Sequence, residues 1–312
     1  MANPVPLTGR QYELAAGDYR ATVTALGAGL RRLSYRGQDL ITSYDADEVP
    51  PAGAGELLAP WPNRVDRGRY SFGGGDYQLD LSEPANGNAI HGLTRWAGWQ
   101  AEVSDGAQVL LRHQLLGRPG YPFCLDLAAG YRLGPDGLTV IVTARNAGSR
   151  PAPYGTGHHP YLTAGAPLID GCELTLPTAA YVPAGERGLP GGPPQDVAGS
   201  EFDFLAGREI GATVMDHALT GLRRDGDGRA WARLRSGGTE VALWAGDGYS
   251  WLQVFTGDPL PPARRRTAIA IEPMTCPPNA FVTGDDLITL DPGASVTRSW
   301  GVTASLGQPD PG

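Results

Sequence analysis

The sequence predicts an all-β protein built as one large antiparallel β-sandwich. Three observations carry this. Strand-length apolar or alternating runs recur along nearly the whole chain, each bounded by Gly, Pro, Asp or Asn. Glycine (45) and proline (28) are abundant enough to supply many turns and to break long helices. No segment keeps a helical apolar period over three turns; the candidate AGELLAPWPN, from Ala54, is stopped by Pro60 and Pro62.

In chain order, YRATVTAL (from Tyr19) and QVLLRHQL (from Gln108) are rich in β-branched and apolar residues. YRLGPDGLTVIV reads as a hairpin, two strands joined at Gly134-Pro135-Asp136-Gly137, and its second strand continues as LTVIVTARN. CELTLP (from Cys172), EVALWAG (from Glu240), WLQVFTG (from Trp251), TAIAIEP (from Thr267) and SVTRSWGVTA (from Ser295) complete the series. Many short strands at even spacing point to a sandwich or barrel. No charged or low-complexity linker divides the chain, so residues 1–312 are expected to form one domain. The Gly/Pro-rich stretch 183–199 reads as a long excursion or lid, and the tail GQPDPG as frayed.

Composition narrows the function. A net charge of −8 disfavours nucleic acid or an anionic membrane, both of which need a positive surface. Arg264-Arg265-Arg266 is the one basic run and reads as a solvated loop. No stretch approaches the roughly 18 apolar residues of a spanning helix, and the N-terminus lacks a basic segment followed by an apolar run. Cys124, Cys172 and Cys276 are too few and too scattered for a disulfide framework, so a reducing, cytoplasmic setting is expected.

Several residues could carry chemistry. In APWPNRVDRGRY, Asn63 and Arg64 follow a proline-braced turn; Arg64 would either tie loop carbonyls or offer a hydrogen-bonding fork to vicinal hydroxyls. In GNAIHGL, His91 precedes Gly92, a residue that lets another group approach the backbone closely; His91 is either a site residue or a satisfied core histidine. In YGTGHHPYL, Pro160 biases His159 toward extended backbone, where neighbours face opposite ways. Only one of His158 and His159 then points into a given pocket. In TAIAIEP, alternation puts Ala268, Ala270 and Glu272 on one face. Those alanines either keep the face open for a ligand or pack under a loop, and Pro273 is read as ending the strand. In WLQVFTG, Trp251, Gln253 and Phe255 share a face, as a sugar platform or as core. Asp216 adds a carboxylate beside His217.

Other chemistries lack their motifs. There is no phosphate-cradling GxxxxGK[ST], no GxGxxG opening a helix, no GxSxG elbow and no CxxC pair. Nothing beside Cys276 would activate it as a nucleophile.

Five segments, in order, resemble the aldose 1-epimerase (mutarotase) family: PWPNRVDRGRYSFGGGDYQLDLSEPANGNAIHG, HHPYL, MDHALTG, LQVFTGD and IAIEPMTCPPNAF. They run from about residue 60 to 281. NAIHGL has one glycine where many relatives have two, HPYL replaces HSYF, and EPMTCPPNA lacks the usual glutamine. The resemblance implies a galactose mutarotase-like supersandwich with a carbohydrate cleft on its concave sheet. It implies Glu272 as base and His159 as acid. It further implies that Asn63, Arg64, His91, Asp216 and Gln253 contact substrate. The implied reaction interconverts the α and β anomers of a free aldohexose, with no metal, no cofactor, and a small sugar as partner to a monomer or homodimer. It needs Glu272 ionised and His159 at least partly protonated, on opposite sides of the C1–O5 unit, which the usual histidine pKa near 6.5 allows with little tuning. Two alternatives stay open: a hexose-6-phosphate 1-epimerase using Arg67, Arg69, Arg95 and the triple arginine, and a non-catalytic carbohydrate-binding module. A metal-dependent β-barrel enzyme using the histidines is a third.

Overall fold

The computed structural model describes residues 4–307, so the last five residues of the predicted tail lie outside it. Two large antiparallel sheets dominate. In the nine-stranded sheet the strands run, in spatial order, Gln100–Ser104, Gln108–Leu115, Leu125–Gly134, Gly137–Asn146, Ser295–Leu306, Thr239–Ala245, Ala230–Ser236, Glu173–Thr175 and Arg208–Glu209. The eight-stranded sheet is ordered Gln195–Asp196, Ala180–Tyr181, Asp216–Thr220, Trp251–Phe255, Ile269–Met274, Gly157–His158 and Leu57–Leu58, with Tyr161–Leu162 also pairing Ile269–Met274. A four-stranded sheet from residues 11–39 and three two-stranded ribbons complete it. The one α-helix among the described residues is Ala280–Thr283.

The predicted hairpin forms with Gly134 opposite Gly137, which leaves Pro135-Asp136 as a two-residue loop. All nine predicted strand segments are strands. Pro273 does not end its strand: it pairs with Leu252, and the strand runs on to Met274.

One core cluster fills the space between the large sheets, with Leu252, Val254, Ile269 and Ile271 from one side and Val140, Val241, Trp300 and Val302 from the other. A polar bridge crosses it. His158 accepts from Trp300 Nε1 at 3.2 Å and bonds the Tyr131 hydroxyl at 2.8 Å, and both partners belong to the nine-stranded sheet. Burial pushes the His158 imidazole down to about 3, so it serves the core as a neutral group.

Strand Ile269–Met274 therefore has two jobs. Ile271 faces the core and Glu272 the opposite side. Ile271→Ala is expected to lower unfolding free energy by about 2–5 kcal/mol, the usual cost of a buried large-to-small change. Glu272→Gln should leave stability within about 1 kcal/mol, since burial already favours an uncharged side chain there. Urea unfolding of both variants checks the contrast.

Candidate active site

The eight-stranded sheet places one row of side chains side by side. Gln253 lies directly opposite Glu272 across a strand pair, and Ala218 directly opposite Gln253. The next row is Asp216, Phe255, Ala270 and Tyr161. Loops then bring the remaining groups over these rows.

The ribbon Arg64–Asp66 with Asn88–Ile90 supplies one wall. Asn63 and His91 close its end in left-handed backbone, φ 51° and 60°, and the His91 N–H donates to the Asn63 carbonyl at 2.9 Å. Gly92 is needed here: at φ +72° a Cβ would sit 2.0 Å from the Ala59 carbonyl oxygen. This is the close backbone approach that the glycine after His91 predicts. The extended His158-His159 pair supplies the other wall. With His158 turned into the core, His159 faces the cleft, and its backbone pairs on both sides with residues 55 and 56.

Asn63, Arg64, His91, His159, Asp216 and Glu272 line one cavity of about 330 Å³, together with Glu83, Tyr161, Phe255 and Leu260. His159 Nε2 lies 3.3 Å from Glu272 Oε1. The imidazole stacks on Tyr161 with ring centroids 4.9 Å apart, and His91 meets it edge-on at 5.4 Å. Asp216 is the accessible carboxylate, with a side chain 45% exposed, 3.8 Å from Arg64 Nη1. Gln253 donates to Asp216 at 2.6 Å.

Glu272 and His159 are only 1% and 6% exposed. Burial, reinforced by the Asp216 carboxylate and opposed by Arg64, raises the Glu272 carboxyl well above the ordinary range. Burial pushes the His159 imidazole down to about 4 and His91 well below its usual value. Both shifts run toward the neutral forms, a carboxylic acid beside a neutral imidazole. Both directions run against the expectation of an ionised Glu272 and an at least partly protonated His159 with little tuning. The pair carries one proton in either form, and a 3.3 Å contact lets that proton change sides.

Four buried polar atoms here have no partner within the protein: His91 Nδ1, His159 Nδ1, Gln253 Oε1 and Glu272 Oε2. An unpaired buried donor or acceptor costs about 1–3 kcal/mol, and four of them gather beside this cleft.

The family model described as aldose 1-epimerase matches residues 10–302. The chain belongs to the aldose 1-epimerase family. That family is a class of isomerases. Among its relatives, the uncharacterized protein YihR of Escherichia coli K12 is 35% identical over 288 residues, 92% of this chain and 90% of that one. The galactose mutarotase of Mus musculus is 27% identical, over 65% of this chain and 62% of its own. In fold, the chain is similar to the GalM/aldose epimerase homologue from C. elegans (TM-score 0.84, 18% identity, 96% and 99% covered) and to the galactose 1-epimerase from Lactobacillus acidophilus (TM-score 0.79, 22% identity, 93% and 92% covered).

Around the cleft, expectation and structure differ at several residues. Gln253 is 3% exposed and lines the neighbouring cavity with Asp216 and Ala218. Trp251 packs against Met274 and Val182 and donates to Asp286 at 2.7 Å, so of the aromatic platform only Phe255 reaches the main cavity. Ala268 and Ala270 are covered by Tyr161, Phe255 and Leu260, and the open part of that face begins at Glu272. Arg266 is no solvated loop residue: it pairs with Asp170 at 2.5 Å and with Asp258 at 3.0 Å. Arg264 pairs with Glu48 at 2.7 Å, and Arg95 with the buried Glu56 at 3.2 Å. Arg67 and Arg69 are exposed. Glu83, which no motif flagged, donates nothing but accepts a fork from Arg64; its one signal is an acidic residue eight positions before His91.

A depressed imidazole pKa keeps the ring neutral until acid, so His159 should stay uncharged through pH 6.5 and protonate only near pH 4. Ring ¹⁵N shifts followed from pH 8 to pH 3.5 check this. Titration near 6.5 would mean a solvated, independent histidine.

Proposed function

We propose that this chain is a mutarotase that interconverts the anomers of a free aldohexose by opening and reclosing the ring. The observation that carries the reading is the Glu272–His159 contact in a cavity also lined by Asn63, Arg64, His91 and Asp216. Proton transfer from Glu272 to His159 across that contact creates a carboxylate and an imidazolium. The carboxylate takes the proton of the C1 hydroxyl, and the O1–H electrons form the C1=O1 bond. The C1–O5 bond breaks, its electron pair stays on O5, and O5 takes the His159 proton. Rotation about C1–C2 exposes the other carbonyl face, and the steps run backward to the other anomer.

Opening the ring returns Glu272 to the acid and His159 to the neutral base, the forms that burial favours. The dry site thus opposes the charged starting pair and assists its discharge on the sugar. Arg64 and Asp216, side by side at the accessible edge, suit vicinal hydroxyls, one as donor and the other as acceptor. Asn63 and His91 stand as further sugar contacts, while Gln253, which lines the neighbouring cavity, acts through the bond it donates to Asp216. For a free sugar over a phosphorylated one, the supporting observation is that Arg95, Arg264 and Arg266 are engaged with carboxylates.

Glu272→Gln and His159→Gln are each expected to slow anomerisation by roughly 10²–10⁴-fold, the usual worth of one proton-transfer group. Arg64→Ala and Asp216→Ala should raise KM as well. Polarimetry on freshly dissolved galactose and glucose, with glucose 6-phosphate in parallel, reads all of these. Near-wild-type rates in both Gln variants would sink the assignment, and a preference for glucose 6-phosphate would redirect it to sugar phosphates.

A further inference from the structure

Arg64 is gripped from two separate parts of the chain. Its Nε donates to both oxygens of Glu83 at 3.1 and 3.0 Å, and its Nη2 donates to Glu83 Oε1 at 3.0 Å. Its Nη1 donates to the Gly188 carbonyl at 3.2 Å. A guanidinium has five N–H bonds. Three are used this way; of the two that remain, the one on Nη1 belongs to the nitrogen 3.8 Å from Asp216 Oδ2.

Each grip is itself secured. Asn86 and Asn88 donate to the Glu83 carboxylate at 2.9 and 3.0 Å. Burial alone would raise that carboxyl, yet the bonds from Arg64, Asn86 and Asn88 hold it below its ordinary range. Asn88 also donates to the Arg187 carbonyl at 2.9 Å, while Arg187 donates to the Asn86 carbonyl at 3.2 Å and pairs with Asp66. These bonds stitch the 183–199 excursion to the ribbon that bears Arg64. Gly188 then lies so close that a Cβ would meet the Arg64 guanidinium at 2.6 Å, and its φ of +72° is glycine's.

We propose that Glu83 and Gly188 are positioning residues for the anomerisation reaction, which fix the Arg64 fork so that its free Nη1–H faces the sugar beside Asp216. The inference rests on the mutarotase reading for its kinetic consequence but not for its geometry. Glu83 removes the freedom of the long side chain and sets the plane of the fork. Gly188 stops the same fork from swinging away from the cleft. Neither residue needs to touch the reacting atoms. A mobile Arg64 would still bind sugar, with its donors aligned only part of the time, so the loss falls on KM more than on kcat.

The test is a pair of double-mutant cycles on kcat/KM with Arg64→Ala. Glu83→Gln alone should raise KM about tenfold, the usual effect of a lost charge-assisted hydrogen bond, with kcat changed much less. Gly188→Ala should act in the same direction by pushing the guanidinium aside. In the Arg64→Ala background both changes should add almost nothing, because the group they position is gone. An independent arm uses no sugar: the Arg64 Nε–H resonance should be sharp and slow to exchange in the wild type and broadened in Glu83→Gln. If the wild type shows no anomerisation, the proposed function fails while the resonance still decides the positioning. Full additivity with Arg64→Ala, or an unchanged Arg64 signal in Glu83→Gln, overturns the inference.

Discussion

The rest of the structure is arranged around a carboxyl group and an imidazole held 3.3 Å apart in a nearly dry place. Neither group could be kept there by its own loop. Glu272 is fixed by the central pairing of Trp251–Phe255 with Ile269–Met274, whose other face is locked into the shared core. His159 is fixed because its neighbour is anchored: the same extended dipeptide puts His158 between Tyr131 and Trp300 and leaves His159 no face but the cleft. The bridge between sheets and the aim of the candidate acid are thus one constraint.

Burial gives that contact its chemical character. In water the glutamate would be charged and the histidine about a quarter protonated at neutral pH. Here both are driven toward neutrality, and the pair becomes a one-proton unit with two arrangements. Acid–base work on an uncharged sugar needs a unit that can give a proton at one atom while taking one at another, without an outside supply. The polar rim at Arg64 and Asp216 supplies orientation, and the neutral floor supplies the proton movement.

The fold was legible because it depends on short-range pattern, and so were some side-chain directions in the cleft; which residues gather there came from the resemblance. Alternation put Glu272 on the face away from Ile271, Pro160 made the His158-His159 pair diverge, and Gly92 signalled a close backbone approach, which Ala59 makes. What stayed hidden depends on distant partners. Glu83 becomes Arg64's partner only when the ribbon forms, 19 residues away. Arg266 looked solvated because Asp170, 96 residues off, is invisible to local reading. Trp251 and Gln253 shared a face with Phe255 as expected, but Asp286 and Asp216 drew their polar ends elsewhere. The proton positions could not be read at all, since they follow from burial rather than from residue type.

The exchange of carbon-13 label between anomeric positions is the most direct test of what this cleft does. With [1-¹³C]galactose or [1-¹³C]glucose at equilibrium, two-dimensional exchange NMR should show α–β cross-peaks whose growth rate rises in proportion to added protein. Cross-peaks no faster than those in buffer, across a panel of aldoses, would contradict the account.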